Sequence, residues 1–277
     1  MDVVDSHLHL WALATPGHEW PTAGTPTLHR DFAMADLREA TDSTPLAGAV
    51  LVQSQPTDAD TDWMLAVAAQ EPLVLGVVGW VDLSAPEAPL RIAELADRPK
   101  LCGLRPMLQA IDDSEWLLRD DLVPAIEAMV AHDLRLDALV EPRHLPMLAR
   151  FADRWPRLSI VIDHAAKPQV SDAARDPWWD AIAELAGRGL HCKLSGLRTG
   201  ELPAPSTGEL AALIEHLVVN FGDRLMWGSD WPVLTLSGDT YAAWLDEAAG
   251  LADLFGASRE QLFGRSARRF YALGDVT

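Results

Sequence analysis

The sequence predicts a single-domain (β/α)8 barrel, or TIM barrel, that spans residues 1–277. Eight short runs rich in aliphatic and β-branched residues alternate with stretches of helical periodicity. The 277 residues, 49% of them hydrophobic, are enough for one sizeable core. A doubly wound sheet would normally carry a glycine-rich phosphate loop after its first strand. This chain has "HLHLW" there, so the barrel is favoured.

The predicted strands are separated by amphipathic segments such as "TDWMLAVAAQ" and "GELAALIEHLVVNFG". Two connections are long and rich in breakers, Ala12–Thr27 after the first strand and Arg198–Thr207 after the seventh, and we expect both to reach over the site. The predicted strands are Val3–Leu10, Ala47–Ser54, Val74–Asp82, Leu101–Met107, Arg135–Glu141, Leu158–His164, Leu190–Leu197 and Leu225–Asp230.

Composition excludes several classes of partner. The formal net charge of -19 argues against nucleic acid and against anionic membrane surfaces. The chain enters its first predicted strand without a basic or apolar leader, so we expect no N-terminal targeting segment, and no apolar run is long enough to span a bilayer. Cys102 and Cys192 lie in apolar runs without metal-binding spacing, which is typical of reduced core thiols. We therefore expect a cytoplasmic protein that acts on a small molecule; its oligomeric state is left open.

The first strand carries three polar residues at alternate positions. Asp5, His7 and His9 should share one face, because side chains alternate across a strand. A core strand that places polar groups on its inner face indicates chemistry there. The competing interpretation is that His7 and His9 are hydrogen-bonded core histidines. For Asp5, one step deeper in the barrel, we expect a structural role rather than a catalytic one.

Polar residues also recur where the other strands end. Barrel enzymes build their active sites at the carboxyl ends of the strands, so these side chains are expected to converge. Asp163, adjacent to His164, should instead point outward toward the helices. The strand-end residues are His7, His9, Gln53, Trp80 or Asp82, Arg105, Glu141, His164, Lys193, Ser195 and Asp230.

His7, His9 and Asp230 form a candidate metal site. Two imidazoles and a carboxylate can hold one zinc-type ion and leave a position open for water. The same carboxylate can take a proton from attacking water and pass it to a leaving group. The convergence of Asp230 and His164 on the same end of the barrel favours this function over a core role for the histidines.

Six residues are predicted to contact substrate. Arg105 is either a substrate contact or a structural ion pair, and Lys193 is equally a buried partner of Glu141 or Asp230. Tryptophans near strand ends would offer aromatic faces to a sugar ring or another ligand with an apolar side. The predicted contacts are Arg105, Gln53, Lys193, Trp20, Trp80 and Trp231.

Six motifs carry a resemblance to a known family. "DSHLHLW", "GLR", "DHAAKP", "CKLSGL", "MWGSDWPV" and "FGRSARRFYAL" occur in the order and at the strand positions of the amidohydrolase superfamily. Within it, the chain resembles the branch of metal-optional lactonases typified by L-fuconolactonase, L-rhamnonolactonase and 2-pyrone-4,6-dicarboxylate lactonase. The resemblance implies that Asp230 is the general base, with His7, His9 and His164 around it. It also implies that Arg105 and Lys193 contact the substrate or its carbonyl oxygen.

The chain departs from the superfamily pattern on strands 4 and 5. Many members place a lysine or glutamate on strand 4 and a histidine on strand 5 to hold two metal ions. Here these positions hold Arg105 and "LVEP". We therefore expect at most one divalent ion, held by His7, His9 and Asp230, and a reaction that can proceed without it.

These features predict a hydrolase that opens the ester bond of a small sugar-acid lactone by direct attack of water. No G-x-S-x-G elbow is present, and Ser195 has no histidine assigned to it. Among arginines only Arg105, with Arg198 as a second candidate, is placed to pair with a dicarboxylate, so a neutral lactone is favoured. The alternatives are a 2-pyrone-4,6-dicarboxylate-type lactonase, a metal-dependent aromatic-acid decarboxylase, and a barrel that serves only as a binding or scaffold protein.

Overall fold

The computed structural model describes residues 2–169, 176–199 and 205–274, and it confirms the predicted (β/α)8 barrel. Eight parallel strands follow one another in chain order around a single sheet. Each strand pairs with the next one along the chain. The strands are β1 (Val3–Leu8), β2 (Leu46–Val52), β3 (Val74–Gly79), β4 (Leu101–Leu104), β5 (Arg135–Ala138), β6 (Ile160–Ile162), β7 (His191–Leu194) and β8 (Leu225–Trp227).

The α-helices of the described residues surround this sheet. A π-helical turn, Gln261–Arg265, leads into the last helix and packs against β1 and β8. None of these helices is both long and apolar enough to cross a membrane. The helices are α1 (Met34–Thr41), α2 (Asp58–Gln70), α3 (Ala88–Ala96), α4 (Val123–Ala131), α5 (Leu145–Arg154), α6 (Asp176–Gly187), α7 (Thr207–Phe221), α8 (Tyr241–Leu254) and α9 (Ser266–Tyr271).

Two apolar clusters form the core. The larger cluster packs the outer faces of the strands against the helices. A smaller cluster takes Val4, Val50, Val78 and other residues from six strands and is joined by Tyr271 of α9. This smaller cluster fills the interior of the barrel toward the amino ends of the strands. The polar side chains therefore lie toward the carboxyl ends.

The observed strands end earlier than predicted, and most of the predicted site residues lie just beyond them. Gln53 and Arg105 are the first residues after β2 and β4, and His164 is the second after β6. Glu141 and Asp230 are the third residues after β5 and β8. These side chains are therefore oriented by turns rather than by strand alternation, which changes where several of them point.

Strand β1 contains a bulge that separates Asp5 from the histidines. Between Asp5 and Leu8 it advances three residues while β2 advances two, from Ala49 to Leu51. Asp5 lies close to the hydroxyl of Tyr241 on α8, and its Oδ1 accepts the backbone N–H groups of His7 and Ser229. The expectation that Asp5 shares a face with His7 is therefore wrong, because the extra residue breaks the alternation.

The barrel closes where the segment after β8 meets β1. The N–H of Asp230 donates to the His7 carbonyl and the N–H of His9 donates to the Trp231 carbonyl, both at 2.8 Å. Gly228 lets the two segments approach this closely, since a Cβ there would lie 2.7 Å from the Cβ of His7. The closure that completes the fold thus also brings Asp230 to the two histidines.

The two long loops differ in how much of them is described. In Ala12–Thr27, the backbone N–H groups of Glu19 and Trp20 donate to Oε1 of Gln55 at 2.9 and 3.2 Å. This anchor holds Trp20 at the mouth of the barrel. In Arg198–Thr207, residues 200–204 lie outside the described part of the chain.

Replacement of Gly228 by alanine should destabilise the protein. The new methyl group would lie 2.7 Å from the Cβ of His7 and 3.1 Å from its backbone nitrogen. The segment after β8 would therefore have to move away from β1. We expect Gly228→Ala to lower the free energy of unfolding by roughly 1–3 kcal/mol, measured by urea denaturation. The matched control is Gly250→Ala in α8, where an added Cβ meets nothing within 4 Å. That variant should gain about 0.5–1 kcal/mol. Equal stability of the two variants would contradict the close approach.

Candidate active site

A cavity of about 340 Å³ opens at the carboxyl ends of the strands. It collects five of the predicted site residues, His9, His164, Asp230, Arg105 and Trp20. Its other lining residues are Ser54, Met107, Gln109, Leu139, Lys167, Gly196, Thr199, Val233 and Leu236. The cavity is therefore part polar and part apolar, as is usual for sites that bind small organic molecules.

His7, His9 and Asp230 meet at the inner end of this cavity. Nε2 of His7 and Nε2 of His9 are 3.2 Å apart, and Oδ1 of Asp230 lies 3.3 Å from His9 and 3.7 Å from His7. Ligand atoms around a tetrahedral zinc ion are separated by roughly 3.3–3.4 Å. The three side chains therefore fit one zinc-type ion with a fourth position left for water.

The orientation of His9 suits a metal ligand. Its Nδ1 lies 2.8 Å from the carbonyl oxygen of Val52. A carbonyl can only accept, so Nδ1 carries the proton and the lone pair of Nε2 faces Asp230 and His7. A histidine that donates its second ring nitrogen to a carbonyl is the common arrangement behind a metal site.

Asp230 is held ionised by its neighbours. Its backbone has a φ of +56°, a left-handed conformation that aspartate tolerates better than most residues. Burial alone would raise the pKa of Asp230, but the attraction of the carboxylate to the imidazoles of His164, His9 and His7 in their protonated forms outweighs burial and lowers the pKa. The carboxylate is thus charged and ready to accept a proton or a cation.

A left-handed turn after β6 presents two further groups to the cavity. His164, Ala165, Ala166 and Lys167 have φ values of 53°, 49°, 61° and 52°. Such a backbone is unfavourable by roughly 1–2 kcal/mol for each residue that is not glycine. Strain of this kind persists where the surrounding structure fixes it, and it is typical of functional sites. Here it directs both His164 and Lys167 into the cavity.

His164 is fixed by Ser195 and Gly196. The Oγ of Ser195 lies 2.9 Å from Nδ1 of His164. The sequence analysis assigned no histidine partner to Ser195, and the structure shows that His164 is that partner. A Cβ at Gly196 would lie 2.4 Å from that same nitrogen, so glycine is needed there. Burial lowers the pKa of His164 to about 4, which keeps the ring neutral near pH 7. Its Nε2 lies 4.0 Å from Asp230.

Asp163 points into the barrel, which corrects the expectation that it faces the helices. Its carboxylate lies 3.3 Å from Arg105, 3.0 Å from Lys193 and 3.4 Å from Nδ1 of His7. Asp163 continues the inner face of β6 that begins with Val161, and the left-handed conformation of His164 then brings that side chain inward as well. The sequence pattern did not indicate that the Asp163 carboxylate belongs to the site.

Lys193 lies on the far side of His7 from the cavity and has no exposed surface. Its Nζ contacts Asp137 and lies 3.0 Å from both Asp163 and Nδ1 of His7. The ion pair considered for it therefore exists, but with Asp137 and Asp163 instead of Glu141 or Asp230. Glu141 pairs with Arg143 at 3.0 Å.

Three other predicted contacts lie outside the cavity wall. Gln53 is fully buried and donates to the carbonyl of Arg105 at 3.0 Å. Trp231 is buried edge-on against Phe32. The backbone N–H of Trp80 donates to Thr61, and its side chain is not among the lining groups. In this structure these residues support the wall rather than form it.

Lys167 is a charged cavity residue that the sequence analysis did not single out. Its Nζ contacts Oε1 of Gln109, and burial lowers its pKa. The signal was present, because Lys167 belongs to the "DHAAKP" motif whose histidine was chosen. What the pattern did not reveal is the left-handed turn that points both side chains the same way.

Comparison with known proteins finds one matching family and two similar proteins that are named lactonases. Residues 4–273 match the amidohydrolase family Amidohydro_2. The chain is 44% identical over 276 residues to an L-fucono-1,5-lactonase of Burkholderia ambifaria, an alignment that covers 98% of this chain and 95% of that protein. It is 34% identical to an L-fucono-1,5-lactonase of Burkholderia multivorans, over 98% and 96% of the two chains.

A solved structure with bound zinc is also similar to this chain. It is an amidohydrolase from Burkholderia multivorans with 31% identity and a TM-score of 0.90. The superposition covers 98% of this chain and 99% of that one.

We expect the protein to bind one zinc ion per chain at this cluster. Asp230→Asn removes a charged ligand, so zinc affinity should fall by more than the roughly 10–100-fold that loss of an outer-shell partner causes. A competition titration against a chromophoric chelator measures this. Asp82→Asn is the control, because the exposed Asp82 bonds to Ser84, away from the cluster. Unchanged affinity in Asp230→Asn would place the ion elsewhere.

Proposed function

Because the chain belongs to the amidohydrolase family, we propose that it opens the ester bond of a small sugar-acid lactone, with L-fucono-1,5-lactone as the first substrate to test. The observation that carries the proposal is the ionised Asp230 beside three imidazoles at the end of a cavity of about 340 Å³. Relatives at 44% and 34% identity that are named L-fucono-1,5-lactonases support the substrate class.

The residues suit attack by water on a lactone carbonyl. Asp230 would take a proton from the water as its oxygen bonds to the carbonyl carbon, giving a tetrahedral oxyanion. Arg105 and Lys167 are the cations of the described cavity wall, and they are placed to stabilise that charge. When the oxyanion collapses, the ring C–O bond breaks and the leaving alkoxide takes the proton from Asp230. The product is the open hydroxy acid.

The metal ion is proposed to assist this reaction without being required for it. Held by His7, His9 and Asp230, a divalent ion would polarise the carbonyl or lower the pKa of bound water. The support for its dispensability is that Asp230 is already ionised and that Arg105 and Lys167 already supply positive charge. In this proposal Asp230 carries out the proton transfers, and Arg105 and Lys167 stabilise the oxyanion, whether or not the ion is bound.

A neutral, hydroxyl-rich ring fits the cavity better than a dicarboxylate. Ser54, Gln109 and Thr199 offer hydrogen bonds, and Trp20 offers an apolar face. Arg198 is committed to Glu247 and Asp239, so it is not free to pair with a second carboxylate. We further propose that the enzyme works in the cytoplasm, which its free and buried Cys102 and Cys192 support.

Asp230→Asn should abolish most of the lactonase activity. An amide cannot accept the proton of water, so we expect kcat to fall by about 100- to 10,000-fold. Proton release in weak buffer, followed with a pH indicator, measures turnover of L-fucono-1,5-lactone, other sugar lactones and 2-pyrone-4,6-dicarboxylate. Asp82→Asn is the matched control and should keep full activity.

The same assay on chelator-treated protein separates the rival functions. Turnover of a sugar lactone that survives metal removal supports the proposal. Faster turnover of the dicarboxylate lactone would reverse the choice of substrate. Failure on every lactone, with metal-dependent release of carbon dioxide from an aromatic acid, would replace the lactonase with the decarboxylase.

The pH dependence of the metal-free enzyme should follow His164. Its pKa is lowered to about 4 by burial, so the ring is neutral above that pH and gains a proton below it. We expect kcat/KM to stay constant from pH 5.5 to 7.5 and to fall below about pH 4.5, as protonation of His164 cancels the negative charge of Asp230. A neutral sugar lactone does not titrate in this range. An acid limb centred near pH 6.5 would show that the ring is hydrated and not buried.

A further inference from the structure

His7 has two competing partners on each ring nitrogen. Around Nδ1, Nζ of Lys193 lies at 3.0 Å and Oδ1 of Asp163 at 3.4 Å. Around Nε2, Nε2 of His9 lies at 3.2 Å and Nη1 of Arg105 at 3.4 Å. A neutral imidazole carries one proton, so each set of partners belongs to a different tautomer. The ring can satisfy one set at a time.

The shorter contacts belong to the tautomer with hydrogen on Nε2. The ammonium of Lys193 can only donate, so a bond to Nδ1 requires a lone pair there. Its ammonium then hydrogen-bonds to Asp137 and to Nδ1 of His7, and it lies 3.0 Å from Oδ1 of Asp163 as an ion pair. The Nε2–H of His7 donates in turn to Nε2 of His9, whose lone pair is free because Nδ1 of His9 donates to the Val52 carbonyl. Each hydrogen bond along the path from Lys193 through His7 to His9 therefore joins a donor to an acceptor.

The longer contacts belong to the tautomer with hydrogen on Nδ1. That hydrogen would donate to Asp163, and the lone pair of Nε2 would accept from Arg105 or bind a cation. Only this tautomer can ligate a metal ion. Without an ion it would leave Nε2 of His7, Nε2 of His9 and Oδ1 of Asp230 as three acceptors within 3.7 Å of one another, which is repulsive.

We infer that Lys193 is a positioning residue that holds His7 in the Nε2–H tautomer while the site is metal-free, and that an ion binds only when the hydrogen of His7 moves to Nδ1 and is accepted by Asp163. The move changes no net charge, because one proton leaves Nε2 and one arrives at Nδ1. Lys193 and Asp163 thus set metal occupancy from the side of the ring that faces away from the ion. The inference rests on the proposed ion site, and it is independent of the lactone.

The wild-type protein provides the first test. Long-range ¹H–¹⁵N correlation spectra of ¹⁵N-histidine-labelled protein distinguish a protonated Nε2 from a protonated Nδ1. A His7→Gln variant identifies the His7 signals. We expect Nε2–H in chelator-treated protein and Nδ1–H after addition of one equivalent of zinc. Nδ1–H in the metal-free protein would overturn the inference, and so would a tautomer that zinc leaves unchanged.

Variants on the two partners of Nδ1 should shift zinc affinity in opposite directions. The double variant Lys193→Met with Asp137→Asn removes the donor without leaving Asp137 unpaired, and it should tighten zinc binding about 10- to 100-fold. Asp163→Asn offers an amide donor to Nδ1, and it should weaken binding by a similar factor. Asp137→Asn alone is the matched control, since it keeps the ammonium beside His7.

The spectra of the double variant separate a tautomer effect from simple loss of positive charge. If Lys193 sets the tautomer, the metal-free double variant should show Nδ1–H at His7. Tighter zinc binding with Nε2–H retained would mean that charge alone acts, and it would overturn the inference. If the variants do not fold, the wild-type spectra still decide. A protein that binds no zinc would overturn the metal linkage, while the lactone assay in metal-free protein would be unaffected.

Discussion

Charges buried inside the barrel compensate one another, and the placement of the proposed catalytic groups depends on that balance. Lys193 and Asp163 have no exposed surface, and Arg105 has 4%. An unpaired ion at this depth would be unfavourable by several kcal/mol, so each must keep its partner. Burial opposes the charge of Lys193, but Asp137 and Asp163 outweigh it and raise its pKa. Asp163 also bonds Arg105, so one carboxylate fixes the cation at the cavity wall and the lysine behind His7.

The closure of the sheet is the second constraint, and it joins the fold to the chemistry. Asp230 comes from the last strand and the two histidines from the first, so they meet only if the barrel closes. The bulge in β1 turns His7 inward while Asp5 stays beside α8, and Gly228 admits the close approach. A substitution that weakens the contact between β1 and the segment after β8 should therefore also separate Asp230 from the two histidines. In barrels generally, stability and activity can be separated, because stability depends on the amino-terminal end of the barrel and activity on the loops at the carboxyl-terminal end.

The barrel, and the cluster of His7, His9, His164 and Asp230, could be predicted because both follow from local pattern and strand order. The predictions for Asp5 and Asp163 were wrong because both assumed unbroken alternation up to a histidine, whereas a bulge separates Asp5 from His7 and a left-handed turn begins at His164. The partners of Lys193 could not be predicted either. Asp137 and Asp163 lie 56 and 30 positions away in the chain, and only the closed barrel brings them together.

The geometry of Asp230 allows one carboxylate to serve as metal ligand and as base. Its contacts with His7, His9 and His164 are made by Oδ1. An ion held by the two first-strand histidines would share that same oxygen, while Oδ2 remains able to take a proton from water. A carboxylate forced to use both oxygens on an ion would lose its function as a base. With the two proposed functions on different oxygens, occupancy of the proposed metal site could vary without removing the group proposed to activate water.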